Sequence, residues 1–109
     1  MKKRNRCFTA GLIAAALVLM PCTAYADLHG IDVSSHQSAD VTERVAGDFA
    51  VVKATQGTGY TNPKMSAQLA GAERTGKLIG VYHYAGGGNP TAEAAYFLAA
   101  VRPYIGRAV

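Results

Sequence analysis

The chain has 109 residues, with eleven Lys+Arg against seven Asp+Glu, a formal net charge of +4, two cysteines and no tryptophan. Four of the basic residues, Lys2, Lys3, Arg4 and Arg6, are crowded into the first six positions. Without that start the charges balance, which excludes the broad basic surface that nucleic-acid binding needs.

The basic start runs into a mostly apolar stretch from Cys7 to Met20 and then into Ala24-Tyr25-Ala26, a small-x-small pattern. That layout predicts a secretory signal peptide over residues 1–26, and hence a secreted protein with no membrane attachment after cleavage. A membrane anchor fits less well because the apolar stretch is short for a bilayer. Cys22 raises lipid attachment, but Leu19-Met20-Pro21 offers no small residue just before it. Both Cys7 and Cys22 leave with the leader, so no disulfide remains and stability must come from burial. Residues 27–109 are few for an α/β domain without cross-links.

Three strand–helix units follow. The first strand is predicted over His29–Ser35, and a short helix opens at Asp40. Glu43 stands three residues on, in a capping-box spacing, with Val41 and Val45 on one face. Phe49–Thr55, rich in β-branched and aliphatic residues, predicts a second strand. The loop QGTGYTNP leads to a helix with Asn62 as N-cap and Pro63 at its first position. Met65, Leu69 and Ala72 repeat at helical spacing, and Gly76 is a natural stop. Leu78–Ala85 is the third strand. Asn89-Pro90 repeats the Asn-Pro device and opens a helix through Ala94, Phe97 and Val101, ended by Pro103. Arg107-Ala108-Val109 reads as the opening of a fourth strand. The alternation implies a parallel sheet, doubly wound or barrel, with the strands' C-terminal ends as the functional face.

Asp32 is a lone carboxylate inside an apolar strand. It either caps the following turn, as Ser34 and Ser35 allow, or faces a pocket at the strand top. Alternation places Val51, Lys53 and Thr55 on one face and Val52 and Ala54 on the other. Lys53 then needs a partner such as Asp32, or it snorkels to solvent. Tyr82 and Tyr84 share a face with Gly80, while His83 lies opposite. The tyrosines either stack on sugar rings at the mouth of the sheet or sit in the core with satisfied hydroxyls. His29, His36 and His83 have no metal-ligand spacing. Gly86–Gly88 lacks a phosphate-loop pattern and reads as a flexible turn. No nucleophile-elbow context surrounds Ser34 or Ser35.

Taken in order, GIDVSSHQ, DFAVVKATQGTGYTNP and GKLIGVYHYA resemble the first third to half of a family 25 glycoside hydrolase, the Chalaropsis-type lysozymes. The resemblance covers residues 29–109. Asp32, Val33 and Gln37 match the opening of the family signature, and Val51, Val52, Lys53, Thr55, Gly57, Tyr60 and Asn62 match its continuation. Gln56 stands where the signature has Glu, and Ser38 where it has Pro, Gly or Glu.

The resemblance implies an α/β fold made of the N-terminal three βα units of a modified TIM-like (β/α) barrel, truncated before the fourth strand. It implies a partial catalytic domain over 27–109 and hydrolysis of the β-1,4 bond between N-acetylmuramic acid and N-acetylglucosamine in cell-wall peptidoglycan. Asp32 matches one of the family's acids. Lys53, Gln56, Tyr60, Tyr82 and Tyr84 are the expected substrate contacts, and no metal or cofactor is expected. The family's proton donor lies in an Asp-x-Glu motif on the fourth strand. Asp40, Glu43, Asp48, Glu73 and Glu93 are expected away from the strand tops, so this polypeptide alone is expected to lack muramidase turnover. A non-catalytic binder of peptidoglycan or chitooligosaccharides is the alternative. Against it, an open half-barrel would expose strand edges and an uncovered helix face. Oligomeric state is not legible.

Overall fold

Short β-branched and aliphatic runs, punctuated by glycine and Asn-Pro turns, give strands and helices in alternation. The computed structural model describes residues 26–109, so the expected leader, with Cys7 and Cys22, lies outside the described residues except for its last position. Strand β1 (Gly30–Val33) is followed by α1 (Val41–Arg44), β2 (Phe49–Gln56), β3 (Tyr60–Thr61), α2 (Met65–Arg74), β4 (Leu78–Tyr84), α3 (Pro90–Val101) and a 3-10 turn over Arg102–Tyr104.

β2 is central, with β1 parallel on one side and β4 parallel on the other. β3, which the sequence did not suggest, is a two-residue return after Gly57, whose φ of 57° makes the turn. It pairs antiparallel with the end of β2, Thr55 opposite Thr61 and Gln56 opposite Tyr60.

A doubly wound sheet carries helices on both faces. Here the core gathers on one face only. Val33, Ala50, Val52, Ala54 and Ile79 from the strands meet Met65, Leu69 and Ala72 from α2 and Val101 from α3. The predicted helical stripe of α2 is therefore the buried one. Leu69 and Ile79 are among the largest fully buried side chains, and burial of each stabilises by about 1.5–3 kcal/mol. The opposite face carries Asp32, Val51 and Gly80 in one register row and Lys53 with Tyr82 in the next. Apart from the buried Gly80, these residues stay exposed or half-buried.

The alternation expected for β2 fails at one point. The ladder to β4 runs Lys53–Tyr82 and then Thr55–His83, so Ala54 is an extra residue and the strand bulges. Two residues then oppose one, and the alternation inverts. Ala54 and Thr55 are both fully buried on the helix side, while Gln56 turns to the face that holds Lys53. Asn62 supports the bulge. Its N–H donates to the Ala54 carbonyl (2.8 Å) and its Nδ2 to the Lys53 carbonyl (2.8 Å).

Asn62 thus sits just outside the helix it was expected to cap. Its Oδ1 accepts from Lys64 N–H (2.9 Å), and α2 begins at Met65. Asn89 does cap α3 as predicted, its Oδ1 accepting from the N–H groups of Thr91 (3.0 Å) and Ala92 (3.2 Å). Gly76, with φ 76°, follows the end of α2.

The capping box at α1 does not form, because both acids pair elsewhere. Asp40 pairs with Arg44 at 3.1 Å and Glu43 with Arg74 at 3.1 Å. The buried residue of α1 is Thr42 rather than Val41 or Val45. Its Oγ1 donates to the Gln68 carbonyl of α2 (2.5 Å), and Gly71 lets the two helices approach. A methyl group on Gly71 would stand 2.8 Å from that hydroxyl.

Gly86–Gly88 is not a free turn. Glu93, buried in the first turn of α3, accepts from Gly86 N–H (2.7 Å) and Gly88 N–H (3.1 Å). Its Oε1 also lies 2.8 Å from His83 Nε2. The Gly86 N–H, then the His83 ring, hold the Glu93 carboxyl below its usual range. At the far end, Val109 N–H donates to the Ile79 carbonyl of β4 (2.9 Å), where the fourth strand was expected to open.

Two outcomes follow. Gly→Ala inside a helix ordinarily stabilises by about 1 kcal/mol, but Gly71→Ala should destabilise by about 1–3 kcal/mol through overpacking on Thr42. The check is a lower urea midpoint at unchanged slope, partly recovered by adding Thr42→Ala. For Glu93, a carboxyl with a lowered folded pKa stabilises the fold above its unfolded value, about 4.3. It loses that contribution as pH falls through the lower folded value. The Gly86 amide proton should therefore shift with a midpoint below the unfolded value, a step absent in Glu93→Gln.

Candidate functional site

Parallel pairing aligns the C-terminal ends of β1, β2 and β4, and the polar residues of the open face collect there. Asp32 is exposed on β1, in the same row as Val51 and Gly80. It does not serve the following turn. Gln37 closes that turn, its Oε1 accepting from Ser34 N–H (2.8 Å) while its own N–H donates to the Ser34 carbonyl (3.2 Å). His36 N–H donates to Ser34 Oγ (3.2 Å). The carboxylate is thereby left to the open face.

Tyr82 shares that face, and Gly80 beside it contributes no side chain above Val51. Burial, and then the Asp32 carboxylate nearby, raise the Tyr82 phenol above its usual value. Of the two alternatives for this tyrosine, a core position does not apply, since it is only half-buried.

Lys53 takes neither of its expected courses. Its Nζ donates to Gln56 Oε1 (2.5 Å) and lies 5.3 Å from the Tyr60 ring centre and 5.1 Å from that of Tyr84. A cation so placed over two ring faces is held by their quadrupoles. This geometry depends on the bulge, because unbroken alternation would send Gln56 to the helix side. Tyr60 is anchored in turn, its hydroxyl donating to Ser35 Oγ (2.7 Å). Ser35, His36, Lys53, Gln56 and Tyr60 line a cleft of about 420 Å³, a volume suited to a small ligand.

The structure thus brings Lys53, Gln56, Tyr60 and Tyr84 into one cluster, with Tyr82 and Asp32 beside it on the same face. His83 lies on the opposite, helix side, as alternation required. Its ring packs against Phe97 of α3, with ring centres 6.0 Å apart.

Several contributors carried no sequence signal. Lys64 Nζ donates to the carbonyls of Ser35 (2.8 Å) and Gln37 (3.0 Å). Gln68, fully buried, donates from Nε2 to the carbonyl of Ser34 (2.9 Å). Lys64, just before α2, and Gln68 within it thus fasten the β1 loop, and neither belongs to a motif. Their mark in sequence is faint, a polar residue at the position before the apolar Leu69 of a helix.

Five of the six remaining acids are engaged by other groups, and Asp27 is exposed ahead of β1. Asp40 and Glu43 hold arginines as described, and Glu73 binds Arg107 through both its oxygens (2.5 and 3.2 Å). Asp48 accepts from His29 N–H (2.9 Å) at the other end of the sheet. Glu93 needs correction, for it was expected away from the strand tops. Its carboxylate in fact sits at the top of β4, bound to His83 and Gly86, but on the helix side. Among the described residues, no three of His, Cys, Asp and Glu gather as a metal site.

Residues 31–106 match the family model for glycosyl hydrolases family 25. The N,O-diacetylmuramidase of Chalaropsis sp is 40% identical, over 66% of this chain and 38% of its own length. Lysozyme M1 of Streptomyces globisporus is 36% identical, over 64% of this chain and 26% of its own. Among solved structures, the muramidase from Trichobolus zukalii is similar with a TM-score of 0.59 at 31% identity, covering 67% of this chain and 38% of that one. The bacterial lysozyme from Streptomyces coelicolor also gives 0.59, at 34% identity, over 68% and 36%. This chain therefore spans well under half the length of these relatives, and over the matched part its mixed α/β fold is similar to theirs. With the family model matching from β1 to beyond α3, the chain belongs to glycosyl hydrolases family 25.

Proposed function

We propose that the chain is the N-terminal part of the catalytic domain of a secreted muramidase, spanning 27–109 behind a signal peptide of residues 1–26. Its substrate is the β-1,4 bond between N-acetylmuramic acid and N-acetylglucosamine in cell-wall peptidoglycan. The single observation that carries this proposal is the gathering of Asp32, Lys53, Gln56, Tyr60, Tyr82 and Tyr84 on the open face of the sheet, five of them at the strands' C-terminal ends. Family membership supplies the chemistry. Strands added in sequence order, with helices on one face, fit the first arc of a β/α barrel whose interior is the face carrying Asp32.

In this proposal Asp32 is one of the acids at the scissile bond. The Tyr60 and Tyr84 rings offer faces to the C–H surfaces of a sugar, and Lys53 and Gln56 offer donors to its hydroxyl and acetamido oxygens. Gln56 replaces the family's Glu, so its bond to Lys53 is neutral at the acceptor and leaves the ammonium charge uncompensated in the cleft. That charge favours a substrate carrying carboxylates, as muramyl peptides do.

Glycoside hydrolysis requires one carboxyl to protonate the leaving oxygen and a second group across the sugar. Among the described residues, Asp32 has no second carboxylate on its face. The chain alone should therefore bind glycan without turning it over. This also favours the second reading, a non-catalytic binder of peptidoglycan or chitooligosaccharides, when the chain acts by itself.

Two measurements check this. A zymogram on cell walls should give no clearing with the purified chain, and clearing would mean that a proton donor has been overlooked. Titration with an N-acetylglucosamine oligomer should show binding that Tyr60→Ala or Tyr84→Ala weakens by about 1–2 kcal/mol, roughly five- to thirtyfold. An unchanged affinity in both variants would remove the open face as the sugar site.

A further inference from the structure

Behind the open face, on the helix side, three residues that the proposed function does not use are joined in one line. Thr55 Oγ1 lies 2.8 Å from His83 Nδ1, and His83 Nε2 lies 2.8 Å from Glu93 Oε1. Glu93 already accepts from two backbone N–H groups, so its carboxylate is an acceptor and His83 Nε2 must carry a proton. In the neutral ring Nδ1 is then the acceptor, and it takes the Thr55 hydroxyl proton.

The order hydroxyl, imidazole, carboxylate is that of a nucleophilic relay, but Thr55 is fully buried. No substrate reaches its oxygen, and nucleophilic catalysis is excluded on that ground. The line has another consequence. Bulges are rare between parallel strands, yet Thr55 sits in one, and the bulge decides which side chain faces the cleft. In an unbroken strand Thr55 would share the face of Lys53, and Gln56 would be turned towards α3. Burying the Thr55 hydroxyl is tolerable only with a partner, and His83 is that partner. Glu93 fixes the ring and also fastens Gly86, whose loop closes on Gly57 just after Gln56. A methyl group on Gly86 would stand 3.1 Å from Gly57 Cα, and Gly57 N–H donates to the Tyr84 carbonyl (3.1 Å).

We propose that Thr55, His83 and Glu93 are positioning residues, which lock the β2 bulge from behind the sheet and thereby aim Gln56 at Lys53 and fix Tyr84 beside it. The value of this device for glycan binding rests on the open face being the sugar site. The lock itself does not. Asn62 holds the bulge's carbonyls from the other edge, so loss of the relay should loosen the bulge without dissolving the strand.

The test uses the full chain and its His83→Phe variant, which keeps a ring against Phe97 but has neither nitrogen. The readouts are the Gln56 side-chain amide signals in NMR and the affinity for an N-acetylglucosamine oligomer. His83→Phe should collapse the Gln56 signals towards those of a free glutamine and weaken oligomer binding about five- to tenfold. Thr55→Val, which deletes one hydroxyl, should do the same if His83→Phe does not fold, and Thr55→Ser should restore both readouts. A purely structural role would lower the unfolding midpoint while leaving the Gln56 signals in place, and that result in either folded variant overturns the proposal. Moved Gln56 signals with unchanged affinity would overturn its positioning role in binding. If the parent chain binds no oligomer yet the Gln56 signals respond, the lock stands and the sugar assignment falls.

Discussion

β2 is hydrogen-bonded on both edges, and its helix-facing side chains, Ala50, Val52 and Ala54, have no surface left in contact with water. The rest of the described structure is arranged around that burial. Small residues let α2 settle close, with Leu69 and Ala72 filling the space above them. A central parallel strand is normally apolar on both faces because helices cover both. This one carries Lys53 and Gln56, and they are affordable only because the face they occupy is open. The same constraint that packs the helices therefore separates an apolar, packed side of the sheet from a polar, open one.

The polar side is held from behind. α2 and its N-cap contribute more than an apolar stripe, because Gln68 and the preceding Lys64 reach past the sheet edge to the carbonyls of the loop after β1. Gln68 also accepts from Asn62 Nδ2 (3.1 Å), which links that loop to the bulge in β2. Buried polar groups of this kind are tolerated because each finds a partner, and among the described residues none of the buried side-chain polar atoms is left unsatisfied. The position of the cleft is thus fixed by polar contacts that leave the sheet's apolar core untouched.

How much of this could be read from sequence depended on whether a signal was periodic. The strand–helix order, the buried stripe of α2, the Asn89 cap and the opposed faces of Tyr82 and His83 all follow from periods of 2 or 3.6 and from turn chemistry, and all were legible. The bulge was not, since one extra residue leaves no compositional mark and a β-branched Thr at 55 suits either face. That single slip moved Thr55 inward and Gln56 outward, and it turned the choice between an acid partner and snorkelling for Lys53 into a third outcome. The two-residue β3 was missed because a strand that short has no period. Glu93 was misplaced because helix residues near an N-terminus can reach back over the preceding loop, which linear position does not reveal.

The distribution of acids is the last consequence of the two-sided sheet. On the helix side and around the rim, carboxylates neutralise arginines or tie loops, as Glu43 does with Arg74, Glu73 with Arg107 and Glu93 with Gly86. Such contacts add little individually when exposed, but they keep these acids occupied. Asp32 is placed differently, on a face whose other polar groups are neutral or cationic. An arc of three parallel strands can present its ends along one wall of a cleft only, whereas breaking a glycosidic bond requires groups on both sides of the sugar. The described residues carry Asp32 along one such wall, and the relatives are more than twice as long as the part that matches this chain.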